Sequence, residues 1–212
     1  LDRMAAGGVR DQLGGAFHRY SVDSRWQVPH FEIMLYDNAL LARLYLEAYQ
    51  LSKRKRYATV VRAILDDLLD RFRLDDGCFI SSLDADSAGE EGLFYTWTQE
   101  EIIEVLGPER AKQFLVDWHD PFEGVVEERS VMRYLGKPEN LGQALAKNKD
   151  EFKLLKQYRE SRVPPPKDDK VLTSWNAMAI SALAKAGAAL DVDRYREAAR
   201  TCMDALSARS FV

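Results

Sequence analysis

An internal repeat restricts this chain's fold more than any other feature. The segment NALLARLYLEAYQLSKRKRYATVVRAILDDL, Asn38 to Leu68, aligns without gaps on NAMAISALAKAGAALDVDRYREAARTCMDAL, Asn176 to Leu206, at an offset of 138 residues. The shared residues are Asn38/Asn176, Ala39/Ala177, Ala48/Ala186, Arg56/Arg194, Tyr57/Tyr195, Arg62/Arg200, Asp66/Asp204 and Leu68/Leu206. In each copy the first half is apolar on nearly all sides. Its polar stripe is Arg43 and Glu47 in one copy, Ser181 and Lys185 in the other. Such a helix requires cover on several faces. The second half carries one apolar face: Tyr57, Val60, Val61, Ile64, Leu65 and Leu68, matched by Tyr195, Ala198, Ala199, Cys202, Met203 and Leu206. Its other side is charged, so this helix belongs outside, with the Met and Leu stripes in the core.

A buried helix followed by an amphipathic one, repeated, predicts a helical-hairpin array. The predicted pairs are 37–50 with 57–72 and 172–189 with 193–207. A solenoid repeats about every 35 to 50 residues, and here the intervening stretch is longer and irregular. CFISSLDADSAGEEGLFYTWT reads as two short strands around an acidic loop. Thr98 and Glu101 then form a capping box, with Trp97 and Ile102 placed as a hydrophobic staple. That helix stops at Gly107, and Pro108 starts the next. From Asp117 to Lys170 the chain is polar and ends in the helix-breaking VPPPKDDK. An inner and an outer ring of helices, with decorated loops on one face, satisfies these constraints. The expected fold is mainly α: an α/α toroid-type hairpin array with a small β-hairpin insertion, residues 1–212 forming a single domain.

Bulk properties narrow the partners. A net charge of -4 leaves no basic footprint for nucleic acid, and no apolar run approaches a membrane span. LDRMAAGGVRDQ lacks the charged-then-apolar pattern of a signal peptide. It starts in what reads as a helix without an initiator Met, which suggests a fragment. Cys78 and Cys202 stand isolated, with no CxxC. Neither a disulfide framework nor a metal site is expected, no cofactor is called for, and the cytoplasm is the expected compartment.

Three blocks carry a family resemblance: LGGAFHRYSVDSRWQVPHFEIMLYDNALLARLYLEAY, SSLDADSAGEEGLFYTWTQEE and KVLTSWNAMAISALAKAG. They resemble thioredoxin-domain-containing proteins of the spermatogenesis-associated type. The resemblance implies a thioredoxin-like domain as partner elsewhere in the full-length protein. It also implies an α/α toroid similar to N-acylglucosamine 2-epimerase and to six-hairpin glycosidases, of which this chain holds only part. Ala16 stands where the family usually has Gly, Ile33 where it has Lys, and Ala177 where it has Gly. None of these departures removes a candidate acid or base.

In a toroid the inner helices run parallel, so their N-termini gather at one face and offer free N–H groups and partial positive charge. The repeat sets His30 against Asp168, Glu32 against Lys170 and Asp37 against Trp175. A central pocket for a small sugar-like ligand is therefore expected around FHRYSVDSRWQVPHFEIMLYD, Phe17 to Asp37. The catalytic candidates are His30, Glu32, Asp37 and His18. The substrate-binding candidates are Tyr20, Arg19, Trp26, Asp84, Asp86, Trp97, Lys170, Trp175 and Asn176. Plainer readings stand beside these. His18 could brace a loop through its ring N–H. Glu32 and Asp37 could be helix N-terminal charges worth about 0.3–1 kcal/mol each. Asp84, Asp86 and Gly89 resemble the start of a calcium loop, but Ala88 and Tyr95 stand where ligands are required, so calcium is not expected. The cluster Arg54 to Arg56 reads as a solvated turn, and Cys202 as a core thiol.

Three functions fit. An epimerase or isomerase would use a base such as His30 to take a proton beside the carbonyl of an open-chain sugar, with a second group to return it. An inverting glycoside hydrolase would need two carboxylates about 6.5–9.5 Å apart. The third reading is a non-catalytic scaffold or ligand-sensing module attached to a redox domain.

Overall fold

The computed structural model describes residues 1–119, 125–126 and 129–210. The chain begins with α1 (Asp2–Ala6), β1 (Tyr20–Ser21), β2 (Pro29–His30), β3 (Ile33–Met34), α2 (Leu35–Ser52) and α3 (Lys55–Asp67). Next come β4 (Ser82–Leu83), β5 (Asp86–Ser87), β6 (Glu90–Glu91), β7 (Thr96–Trp97), α4 (Gln99–Leu106) and α5 (Pro108–Trp118). The remainder is β8 (Val125–Val126), β9 (Arg129–Val131), α6 (Leu141–Lys147), α7 (Lys149–Arg159), β10 (Lys167–Asp168), α8 (Thr173–Ala189) and α9 (Asp193–Ser210). The fold is mainly helical with small antiparallel strand pairs. It divides into two compact units: Leu1–Glu32 with Asp84–Pro166, and Ile33–Leu83 with the chain from Lys167 onward.

The second unit holds both copies of the repeat, and both form helical hairpins. The inner helices α2 and α8 pack against each other, and each packs on its own outer helix, α3 or α9. Tyr36 and Trp175, at the starts of α2 and α8, have ring centroids 4.7 Å apart. Near the other ends, Glu47 and Gln50 share a depression with Lys185 and Ala188, so the inner helices are parallel. Equivalent residues do equivalent work. Asn38 donates to the carbonyl of Met34 at 3.0 Å, and Asn176 to that of Leu172 at 3.2 Å. Each acceptor precedes the first turn of its helix, where the side-chain amide locks the entry of the chain. Each hairpin then turns through a left-handed residue that is not glycine, Lys53 (φ 57) and Asp191 (φ 51), again one offset apart. The outer helices join through Asp66, which accepts from both Arg194 and the Tyr195 hydroxyl. A three-stranded sheet, β10–β4–β3, closes this unit beside the starts of α2 and α8.

One member of the predicted outer face is misplaced. Leu65 is fully buried, but its counterpart Met203 is 50% exposed. Helix α3 meets α9 through Asp66 and Arg62, on the flank next to Leu65. The matching flank of α9 has no neighbouring helix among the described residues, so Met203 faces solvent. The cysteines, isolated in sequence, come near each other in this fold: Cys78 and Cys202 are both buried and free, and the Cys202 thiol donates to Asn176 Oδ1 at 3.4 Å.

In the first unit the capping box and staple form as expected. The Glu101 N–H donates to Thr98 Oγ1 at 3.2 Å, the Thr98 N–H donates to Glu101 Oε2 at 3.0 Å, and Trp97 and Ile102 are both buried. Gly107 ends α4 at φ +77, and Pro108 opens α5. The polar stretch beyond Asp117 supplies α6 and α7, whose short apolar faces are diluted by lysines. An aromatic core of Trp97, Phe114, Trp118, Phe152 and Tyr158 sits where these helices meet β7.

Candidate functional site

The site grows from a hairpin and one alternating stretch. From Pro29 to Ile33 the chain is extended, and alternate residues of such a chain point to the same side. Pro29, Phe31 and Ile33 turn inward, while His30 and Glu32 turn outward, next to each other. β1 pairs antiparallel with β2 and sets Tyr20 opposite His30. The Arg19 backbone N–H donates to the Glu32 carbonyl at 2.8 Å, holding the two segments in register beyond the strands. Between them, Asp23 accepts backbone N–H groups from Arg25, Gln27 and Val28. Burial works against its charge, but these bonds, Val28's foremost, hold the Asp23 carboxyl below the usual carboxylate range.

The outward side chains converge. His30 Nε2 lies 3.2 Å from Glu32 Oε2, and His30 Nδ1 lies 2.8 Å from Glu91 Oε1. Arg19 donates to the same Glu32 oxygen at 2.9 Å. The Tyr20 ring stacks on the imidazole, with centroids 5.0 Å apart and planes 20° apart, while half of the tyrosine stays open to solvent. His30 itself is 26% exposed at the side chain, reachable but held. A carboxylate can only accept, and a neutral imidazole has one N–H. Each ring nitrogen thus faces a carboxylate oxygen, and only one of the two can donate while the ring is neutral. The constellation is a histidine between two carboxylates, with a cation, Arg19, on one side and an aromatic face on the other.

Glu91 is the member that sequence reasoning missed. It reaches His30 through the predicted β-hairpin, β5 with β6, whose turn is Ala88 and Gly89. The signal was the glycine that follows it. Gly92 has φ +76, and a Cβ there would lie 2.4 Å from the Phe31 ring. Only glycine permits Phe31 to press against this backbone, and that contact brings Glu91 alongside His30. On the hairpin's approach, Asp84 Oδ1 accepts the Asp86 N–H at 3.1 Å. Both aspartates are exposed, and they form a turn rather than part of the histidine cluster.

The other candidates fall elsewhere. His18 is buried, with Nδ1 3.0 Å from the Phe31 carbonyl and its ring edge-on to Phe31 and Tyr95. It braces the strand that carries His30. Trp26 is half-buried in the turn between β1 and β2 at φ 66, and its carbonyl accepts from Val9. Trp97, expected as an apolar platform, is fully buried beneath the Arg162 guanidinium, 4.0 Å from the ring centroid, so its face is closed to a ligand. Asp37, Lys170, Trp175 and Asn176 belong to the second unit. Asp37 lies in the first turn of α2. Lys170 pairs with Asp168 at 2.9 Å and, through hydrogen bonding, lowers that carboxyl. Asn176, expected to bind substrate, is fully buried. Its amide is taken up by the Phe79 N–H (2.7 Å), the Phe79 carbonyl (2.9 Å) and the Cys202 thiol. Among the described residues no group of three or more His, Cys, Asp or Glu side chains is arranged to hold a metal ion. No helix there is long and apolar enough to cross a membrane.

No family model matches the chain. Among curated proteins it is similar to an uncharacterized protein of Caenorhabditis elegans, 33% identical over 96% of this chain and 32% of that protein. It is also similar to human spermatogenesis-associated protein 20, at 34% identity over 92% of this chain and 29% of the relative. The mouse protein of the same name is 32% identical over 92% of this chain. The chain spans about a third of the length of the curated relatives it matches, and its similarity to them over most of its own length is consistent with the spermatogenesis-associated family.

Proposed function

We propose that this chain is part of an α/α toroid of the spermatogenesis-associated family and that its His30 site transfers protons on an open-chain sugar, as an epimerase or isomerase would. The toroid reading is supported by flanks left open at both ends of the repeat. Leu40 and Leu44 on α2 are 46% and 45% exposed, whereas the counterpart of Leu44 on α8, Ala182, is buried. Met203 is exposed where Leu65 is buried. These are the faces that further hairpins of a ring would cover.

The observation that carries the chemical reading is His30 held between Glu32 and Glu91 with Tyr20 stacked on its ring. Glu91 accepts the Nδ1 proton and fixes the tautomer, leaving Nε2 to take a proton from the carbon beside the ligand's carbonyl. Arg19 stands next to the developing oxyanion and stabilises it. Glu32 is the second group, able to give a proton back. A half-exposed tyrosine face suits the apolar side of a sugar. The hydrolase reading is weaker, because both carboxylates bind the imidazole instead of facing each other across space for a water.

The test is a panel of aldoses and ketoses incubated with the full-length protein in deuterated water and followed by NMR. Deuterium entering at C2, or the C2 epimer or ketose isomer appearing, supports proton transfer. Cleavage of glycosides with inversion and no C2 exchange would replace it with hydrolysis.

A further inference from the structure

The polar stripe that marks both copies of the repeat finds no use in the His30 site. In the second unit, Arg43 and Glu47 from α2 meet Lys185 from α8 in an open depression of about 470 Å³, with Gln50 at its edge and Leu46 and Ala188 as its apolar lining. That volume is in the range of small-ligand sites, about 300–1,000 Å³. Arg43 Nε is buried and has no hydrogen-bond partner. Among the described residues, neither Arg43 nor Lys185 is ion-paired with Glu47. A buried guanidinium N–H without a partner is rare in folded proteins, because desolvating it without compensation is costly. Here its side chain lines the depression without a hydrogen bond from Nε to Glu47 or Gln50.

We propose that this depression binds a small hydroxy-carboxylate of the sugar-acid type, with its carboxylate on Arg43 and Lys185 and its hydroxyls on Glu47 and Gln50. The planar guanidinium matches a carboxylate in two parallel hydrogen bonds, and the ammonium adds a point charge. Glu47 accepts a hydroxyl and limits the charge of the site: two cations and one anion leave one net positive charge, which a monoanion neutralises and a dianion exceeds. The small side chain of Ala188 leaves the space that a bulkier residue would fill. This site is separate from the His30 reading and stands or falls without it.

The experiment is calorimetric titration of the full-length protein with D-gluconate, and with D-glucose, glucose 6-phosphate and inorganic phosphate as separate arms. Saturable gluconate binding is expected, with no heat from glucose and weaker binding of both phosphates. Arg43→Met and Lys185→Met should each weaken gluconate at least tenfold, and Glu47→Gln should improve the phosphates relative to gluconate. Lys185 is exposed, so its variant keeps the fold even if Arg43→Met does not, and thermal melting checks both. Glucose binding as well as gluconate, phosphate binding in preference to it, unchanged affinity in Lys185→Met, or no saturable binding would each overturn the proposal.

Discussion

His30 Nδ1 lies 2.8 Å from Glu91 Oε1, a contact that joins positions 61 residues apart. It depends on Gly92, whose backbone lies under the Phe31 ring at a left-handed φ. Gly92→Ala should therefore cost about 1–3 kcal/mol in left-handed strain alone, with more from displacing Phe31. It should also separate Glu91 from His30. Urea denaturation reads the first effect. The second appears as an altered chemical shift of the His30 ring; a variant with wild-type stability and an unchanged ring signal would contradict this role.

Asn176 is expected to matter for folding alone. Asn176→Ala leaves the Phe79 N–H, the Phe79 carbonyl and the Cys202 thiol without their partner, at about 1–3 kcal/mol for a buried group left unpaired. Chemical denaturation should show a large loss of stability, with any sugar exchange unchanged in the folded fraction. A stable variant that has lost ligand binding would restore the substrate-contact reading.

The Glu101 carboxylate should tie stability to pH. Burial raises its pKa, but the hydrogen bond from Arg129, the Thr98 N–H and the Arg162 charge outweigh burial and leave it below the usual glutamate value. A group lowered on folding contributes stability above its unfolded value, about 4.3, and loses that contribution as pH falls through its folded value. The melting-temperature gap between wild type and Glu101→Gln should thus be full near pH 7 and shrink below about pH 4. A gap that stays constant from pH 7 to pH 3 would refute the assignment.

The two thiols are expected to be inert in the native state. Burial pushes Cys202 up to about 12, and burial together with Asp76 raises Cys78. The thiolate is the reactive form, so a thiol-specific reagent at pH 7.5 should label neither until the protein is unfolded. Labelling at the rate of a free thiol would show that α9 opens.

The helical hairpins were legible because burial pattern survives where identity does not. Lys53 and Asp191 share a left-handed turn, and Asn38 and Asn176 share a helix-entry bond, although most residues around them differ. His30 and Glu32 were legible for a different reason: alternation in an extended stretch puts them side by side. Glu91 was not, because its place depends on a tertiary contact between Phe31 and Gly92. Trp97 was read correctly as a staple and wrongly as a substrate platform, because an exposed platform and a buried staple present the same residue type. Met203 was misread because periodicity gives a side of a helix but not whether another helix lies against it.

Proton transfer at His30 is tested most directly by solvent-deuterium exchange at C2 of a responsive sugar, comparing wild type with His30→Ala and measuring thermal melting on the same samples. The expected result is an exchange rate lower by about 10²–10⁴ with the melting temperature nearly unchanged, since His30 is partly exposed and its partners can turn to water. A lower melting temperature with undiminished exchange in the folded fraction would contradict the account and make His30 a structural brace.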